Sequence, residues 1–504
     1  MYIRLSTLAI VACWLVGASR AQCPDYSSYS QTPHEPFSQG PIALPYMRPE
    51  PACRTFNSSA VEKVITDMKS LLKDPDLARL FENTFPNTLD TTVKFFSKAE
   101  NLAFIITGDD NAQWLRDTGN QLAVYIPLLR SDPELATLVK AVINNEARYV
   151  TQYPYCDAFQ PPPESGIPPA FNGNEVGARV FPPYNASIVY DCKYEIDSLC
   201  AFLKLSRSYY NATKDASFIN EAWRTAIDQI FLVINQQSQA SFDENYNFIS
   251  YYRYTGSGDS GVPFVNNNGT GEPKAYTGMV GTHHRPSDDL SVFAFLTPAN
   301  AMLSVELTYL AQMLDEVGTL RNVSEQAKEW TTKIQNAIWD TTVVNNIFAY
   351  ETNGFGSRYV MDDANVPSLL ALPYLGFLDR NHPTYVATRA LLLSHANPYY
   401  SVGPTWRGIG GPHVDAWNPW HMAQISSIYG TDNDQDIQES LNLLLNNTSG
   451  LGLMHESLSI YNSSSYTRSW FAWANSYFAE MVLDLADRKP GLILKENKSY
   501  RPGQ

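Results

Sequence analysis

Apolar residues recur at helical spacing through most of the chain. Val61, Val64, Met68, Leu71 and Leu72 fall on one helical face that begins just after Ser58. The same spacing predicts helices near residues 122–147, 196–210, 219–237, 299–316, 324–339, 366–375, 382–393, 417–429, 434–445 and 470–486. Strand-like stretches are short, as at 248–254 and 347–351, and read as hairpins within loops. The connections 153–180, 251–285 and 397–413 are long and rich in Gly, Pro and aromatic residues. Ordered loops of that length usually carry function. Strands and helices do not alternate and no fixed-period repeat occurs, which argues against a parallel α/β sheet and a solenoid. The pattern implies an all-α fold in which helical hairpins close into a ring.

The chain ends read differently. Arg4, an apolar run from Leu8 to Val16, and the small residues Ser19 and Ala21 form the pattern of a signal peptide over residues 1–21. Arg20, close to the cleavage point, keeps a retained signal anchor open as the alternative. Residues 22–57 form a Pro-rich arm, 58–489 one helical domain, and 490–504 a polar tail expected to be loose. Glycosylation sequons at Asn57, Asn185, Asn211, Asn268, Asn322, Asn446, Asn447, Asn462 and Asn497 agree with secretion. Removing the leader removes Cys13 and leaves Cys23, Cys53, Cys156, Cys192 and Cys200, an odd set with at least one unpaired thiol. Cys23 and Cys53 suit a bridge across the arm. Cys192 and Cys200 flank a helical segment and suit either a bridge or burial as small apolar groups.

Composition narrows the chemistry. The net charge is −15 with no sizeable block of Lys or Arg, so nucleic acid and anionic membranes are not expected partners. No CxxC pair, HExxH helix, EF-hand loop or GxSxG elbow occurs, and His283 and His284 are adjacent rather than one turn apart. No metal or other cofactor is implied. Carboxylates beside Trp and Arg remain, and these are what sugar binding and glycoside hydrolysis use.

Six segments concentrate them. TGDDNAQWLRDTGNQ carries Asp109, Asp110, Trp114, Arg116 and Asp117, and CKYEIDSLC carries Glu195 and Asp197. GTHHRPSDDLSVFAF carries Arg285, Asp288 and Asp289, with Ser287 as an expected N-cap and both aspartates in the first helical turn. Phe293 and Phe295 give that turn an apolar setting, which raises a carboxyl pKa. Residues 354–370 carry Asp362, Asp363 and Asn365 in a polar loop before a capped helix. Residues 404–421 carry Trp406, Arg407, Asp415, Trp417 and Trp420, as a sugar-lined wall or as core. LMHESLSIYNSSSYTRSWFAW carries His455, Glu456, Arg468, Trp470 and Trp473. Each has a plainer reading as a cap, an ion pair or core packing.

Taken in order, TGDDNAQWLRDTGNQ, CKYEIDSLC, HRPSDD, PAN, MDDANVPSLL and HESLSIYNSSSYTRSWFAWANSYF resemble glycoside hydrolase family 125, from about Ser58 to Ala486. The resemblance implies an (α/α)6 barrel and an inverting exo-α-1,6-mannosidase that removes non-reducing terminal mannose from N-glycans or mannan without a metal. It places the general acid at Asp288, with Asp289 as the fallback, and the general base at Glu456. Trp114, Arg116, Asp117, Arg285, His455 and Arg468 are then expected to hold the terminal mannose, and Trp406 and Trp417 to line the leaving-group side. Inversion requires acid and base carboxyls about 6.5–9.5 Å apart. The chain is expected to be a secreted monomer. Alternatives are another inverting α-glycosidase on the same barrel, or a mannan-binding protein without activity. The long arm and the inserts at 160–180 and 257–275 depart from the family pattern.

Overall fold

The structure, a computed structural model, describes residues 23–173, 177–255 and 266–503. The expected signal peptide lies outside the described residues, as does part of each insert.

Outer and inner helices alternate along the chain and build an (α/α)6 barrel. The outer helices are Ser59–Leu71, continued by Pro75–Thr84, then Pro133–Gln152, Glu221–Gln237, Arg321–Thr342, Pro383–Leu392 and Asp434–Asn446. The inner helices are Leu115–Ala123, Ile196–Thr213, Thr297–Val317, His421–Tyr429 and Ala472–Arg488. Their burial differs as the layers require. Asp434–Asn446 buries Ile437, Ser440, Leu441, Leu444 and Leu445, one stripe of an amphipathic helix. All nine residues of His421–Tyr429 are buried.

The sixth inner position is a correction to the sequence reading. Residues 366–375 form successive turns rather than the expected helix. Pro367 and Pro373 cannot donate backbone hydrogen bonds, and the Asp362 carboxylate accepts from Leu369 N at 2.8 Å and Leu370 N at 2.9 Å instead. The helix expected over 122–147 is two, broken between Ala123 and Pro133. Ser287 caps nothing: residues 286–287 form a turn and the helix begins only at Thr297.

Helix starts differ between the layers. Ser58, Asp74, Asp132, Asn220 and Asn433 each accept a backbone N–H at an outer helix N-terminus. The five inner helices have no side-chain cap. Short strands and bridges precede most of them at the barrel mouth. Gln113–Trp114 pairs with Ala158–Phe159, which pairs with Val189–Asp191. Phe295–Leu296 pairs with Glu351–Thr352, and Trp420 bridges Ser457.

The arm from Cys23 onward and the tail up to Arg501 are both docked on the barrel. Cys23 bonds Cys53 as expected. Ser30 Oγ lies 2.7 Å from Ser469 Oγ, and Tyr26 packs edge-on against Trp470 at 5.1 Å. Arg48 is buried between Asp90 and Glu62. The tail is not loose: Leu494 bridges Leu72, Tyr500 Oη donates to Asp67, and Arg501 pairs with Asp487. Cys192 bonds Cys156 rather than Cys200, which is a buried free thiol. Every sequon asparagine is exposed except Asn447, whose amide donates to Thr405 O and Leu443 O. Among the described residues, no helix is long and apolar enough to cross a membrane.

Candidate active site

The loops at the N-terminal ends of the inner helices surround a cleft with about 390 Å³ of non-protein space. Asp288 and Glu456 both line it, with Trp114, Arg116, Asp117, His413, Trp420, Arg468 and Trp473 among the other walls. A hollow of about 600 Å³ beside Lys274 and one of about 1150 Å³ beside Glu480 include neither carboxylate.

Local structure explains why these side chains arrive together. Gln113–Trp114 runs directly into its helix, which puts Arg116 and Asp117 in the first turn at the mouth. Gly108, at φ +144°, bridges Phe471, and a Cβ there would collide with the Trp470 carbonyl. That close approach joins the segment carrying Arg116 to the segment carrying Arg468. Glu456 and Arg468 flank the two strands of the Ser457–Leu458 and Tyr466–Thr467 hairpin. Asp288 sits in a tight turn in which Asp288 N donates to Arg285 O and Arg285 N donates to Asp289 O. Asp288 and Arg468 both take left-handed backbone, at φ +67° and +52°. Such conformations cost of order 1–3 kcal/mol and concentrate at functional sites.

Two cationic forks organise the charge. The buried Arg116 guanidinium bonds Glu195 and, at 3.1 Å, Asp288. Arg468 bonds Asp109 and Asp110 at 2.7 Å each, and Glu456 at 3.1 Å. The plain ion pair weighed for Glu456 therefore exists, and it stands inside the cleft. Burial pushes Asp117 up to about 7. Burial also pushes Asp288 up, but Lys193, Arg116 and His413 outweigh it and hold this carboxyl below the usual range. The apolar setting expected to raise it is thus overruled by nearby cations. Glu195 moves the other way: burial, reinforced by Asp288 and Asp157, raises it well above the usual value against Arg116. Burial alone would lower His413, yet Asp289, Glu456 and Asp288 lift it to about 9. The imidazole is therefore a cation at neutral pH.

Asp157, Glu195 and Asp288 bring one oxygen each to within 4.8 Å of one another, a grouping a cation would fit. Arg116 already supplies positive charge to two of the three. The buried indole N–H groups of Trp114, Trp420 and Trp473 have no acceptor among the described residues. Together, the cleft offers aromatic surface, unpaired N–H donors, fixed cations and two carboxylates on different loops.

Of the eleven residues to which the family resemblance gave a role, Trp114, Arg116, Asp117, Asp288, Glu456 and Arg468 share this cleft. Five do not line it. Asp289 accepts from Ser287 Oγ and approaches His413 at 3.8 Å. Arg285 is buried against Glu351 at 2.7 Å, and Glu351 also accepts from Val292 N and Phe293 N, so this pair anchors the Asp288 loop from beneath. The His455 ring contacts the carbonyls of Arg468 and Thr448 at 3.1 Å and stacks on Tyr466, fixing the hairpin rather than facing the cleft. Trp406 is core, with its indole donating to Pro419 O, and Trp417 is half-exposed elsewhere. Trp420 and Trp473 provide the aromatic walls instead. His413 was not singled out. A lone His in the Gly/Pro-rich 403–420 loop carries no spacing signal.

Residues 74–483 match the family described as metal-independent α-mannosidase (GH125). The chain is 46% identical over 488 residues to the meiotically up-regulated gene 157 protein of Schizosaccharomyces pombe (strain 972 / ATCC 24843), covering 95% of each chain. It superposes with a TM-score of 0.77 and 29% identity on a metal-independent α-mannosidase from Streptococcus pneumoniae in a non-productive substrate complex with α-1,6-mannobiose. That match covers 85% of this chain and 99% of the bacterial one.

Proposed function

Because the chain belongs to the GH125 family of metal-independent α-mannosidases, we propose that it is an inverting exo-α-1,6-mannosidase with Asp288 as general acid and Glu456 as general base. The observation that carries this reading is the meeting of those two carboxylates, from loops far apart in sequence, in one cleft walled by tryptophan and arginine. Asp288 protonates the departing glycosidic oxygen. Glu456 takes a proton from a water that attacks the anomeric carbon from the opposite face. Arg468 holds Glu456 in place. Trp114, Trp420 and Trp473 supply ring faces and indole donors for one pyranose, and Arg116 and Asp117 bind its hydroxyls. The bacterial relative's complex with α-1,6-mannobiose supports the linkage.

The leader pattern, the exposed sequons and the Cys23–Cys53 and Cys156–Cys192 disulfides support a secreted, glycosylated monomer acting on N-glycans or mannan. The test is incubation with α-1,2, α-1,3 and α-1,6 mannobioses, following the first-formed anomer by NMR. Release of β-mannose from the α-1,6 dimer alone is expected. Initial α-mannose, or an undiminished rate in both Asp288→Ala and Glu456→Ala, overturns the assignment.

A further inference from the structure

The acid side of the cleft raises a problem of charge. Asp117, Asp157, Asp191, Glu195, Asp197 and Asp288 crowd around the cations Arg116 and Lys193. Arg116 reaches four of these carboxyls, at up to 3.7 Å, and Lys193 pairs with Asp191 at 2.9 Å. Six ionised carboxylates in so buried a space would repel strongly, so protons must reside among them. The geometry shows where. Glu195 Oε2 takes its hydrogen bonds from Arg116 and Ser198, whereas the buried Glu195 Oε1 has no donor among the described residues. One oxygen of Glu195 lies within 4.8 Å of one of Asp288, and Arg116 bonds both carboxyls. Two carboxylates bond each other only when one carries a proton. A proton on Glu195 turns the repulsion between the two into an attraction.

We propose that Glu195 stores the proton that Asp288 delivers to the leaving oxygen, acting as a positioning residue for the general acid. This rests on the reaction proposed above. The Glu195 O–H bond breaks and its proton passes to an oxygen of the ionised Asp288. As the glycosidic bond breaks, the Asp288 carboxyl so formed gives its proton to the departing oxygen and returns to a carboxylate. Glu195 is left as a carboxylate, and Arg116, already bonded to it, balances the charge. Glu456 gains the proton of the attacking water and returns it to solvent, and solvent reloads Glu195 through Asp288. No proton is created or lost over the cycle. The opposed shifts of the two carboxyls agree: Asp288 lies below the usual range and Glu195 well above it.

Among the described residues, the charged and titratable groups around Glu195 and Asp288 come from several elements. They are Arg116 and Asp117 on the Leu115–Ala123 helix, Asp157 beside the Ala158–Phe159 strand, Asp191 and Lys193 before Glu195 itself, and Asp197 after it. Asp288 and the buried His284 come from the 281–296 loop, and His413 faces Asp288 from the 403–420 loop.

The experiment compares the parent with Glu195→Gln and Glu195→Asp on two substrates. α-1,6-Mannobiose needs a proton on its leaving group, and 2,4-dinitrophenyl α-mannoside does not. Glu195→Gln is expected to lose about 10²-fold or more in kcat/KM on the dimer, within the range for general-acid catalysis. It should lose less than about tenfold on the aryl substrate, and its alkaline limb should move to lower pH. Glu195→Asp, which keeps an ionisable carboxyl, should recover part of the rate and of the pH limb. Equal losses on both substrates with an unmoved limb overturn the proposal, since a merely structural role gives that result. A parent inactive on both substrates instead overturns the proposed reaction. The infrared carbonyl band of protonated carboxyls needs no turnover: the parent should show it at neutral pH, and an unchanged band in Glu195→Gln refutes the stored proton.

Discussion

Replacing His413 by Gln removes a buried cation from the cleft while keeping a polar side chain of similar reach. The imidazole is lifted from its ordinary value of 6.5 to about 9 by Asp289, Glu456 and Asp288, against the opposing effect of burial. Its side chain is 13% exposed, so solvent screens these interactions only partly. At about 1.4 kcal/mol per pH unit, the shift corresponds to roughly 3 kcal/mol of folding stability. The sign follows from the raised value. The folded protein binds this proton more tightly than the unfolded chain, so the contribution is complete below pH 6.5 and is lost as the pH rises through about 9. Urea unfolding of parent and His413→Gln, at fixed ionic strength and across that window, measures it. The parent's stability relative to the variant should fall by roughly 3 kcal/mol as the pH rises. A relative stability that stays flat or increases with pH would show that His413 is not the charged partner of these carboxylates.

Glu456→Gln should lower kcat on the α-1,6 dimer by about 10²–10⁴-fold while mannose binding, read by calorimetry, changes little. A comparable loss of binding would instead make Glu456 a sugar ligand. The Cys156–Cys192 bond closes 36 residues of sequence separation, so replacing both cysteines by Ser should cost about 4 kcal/mol in denaturant unfolding. A cost under about 1 kcal/mol would mean that the unfolded chain is already restricted there. Arg48→Met leaves the buried Asp90 without its 2.7 Å partner and should cost about 3–5 kcal/mol at neutral pH. Much of that penalty should vanish in the Arg48→Met/Asp90→Asn double variant, and its persistence there would place the loss in packing instead.

The outer layer was the most legible part of the fold. An outer helix shows water one face and the core the other, so its periodicity survives in the sequence, and polar caps such as Asn220 and Asn433 mark where it starts. Inner helices are buried nearly all round and have no capping side chain, so neither signal fixes their first turn. This is why the expected start near Trp417 moves to His421 and why Leu115–Ala123 escaped notice as a separate helix. Residues 366–375 show the converse error, since their apolar spacing is helical but Pro367 and Pro373 interrupt the bonding.

The sequence by itself determined the all-α class, the Cys23–Cys53 bridge and the segments rich in carboxylate, arginine and tryptophan, because composition and short-range spacing express them. Which side chain of a segment enters the cleft was decided only by tertiary structure. Asp288 lines the cleft and its neighbour Asp289 does not; Trp420 lines it and Trp406 is core. Those outcomes, with His413 and the Cys156–Cys192 bond, depend on loop backbone angles and on partners tens or hundreds of residues away. Local periodicity carries no record of such distant contacts.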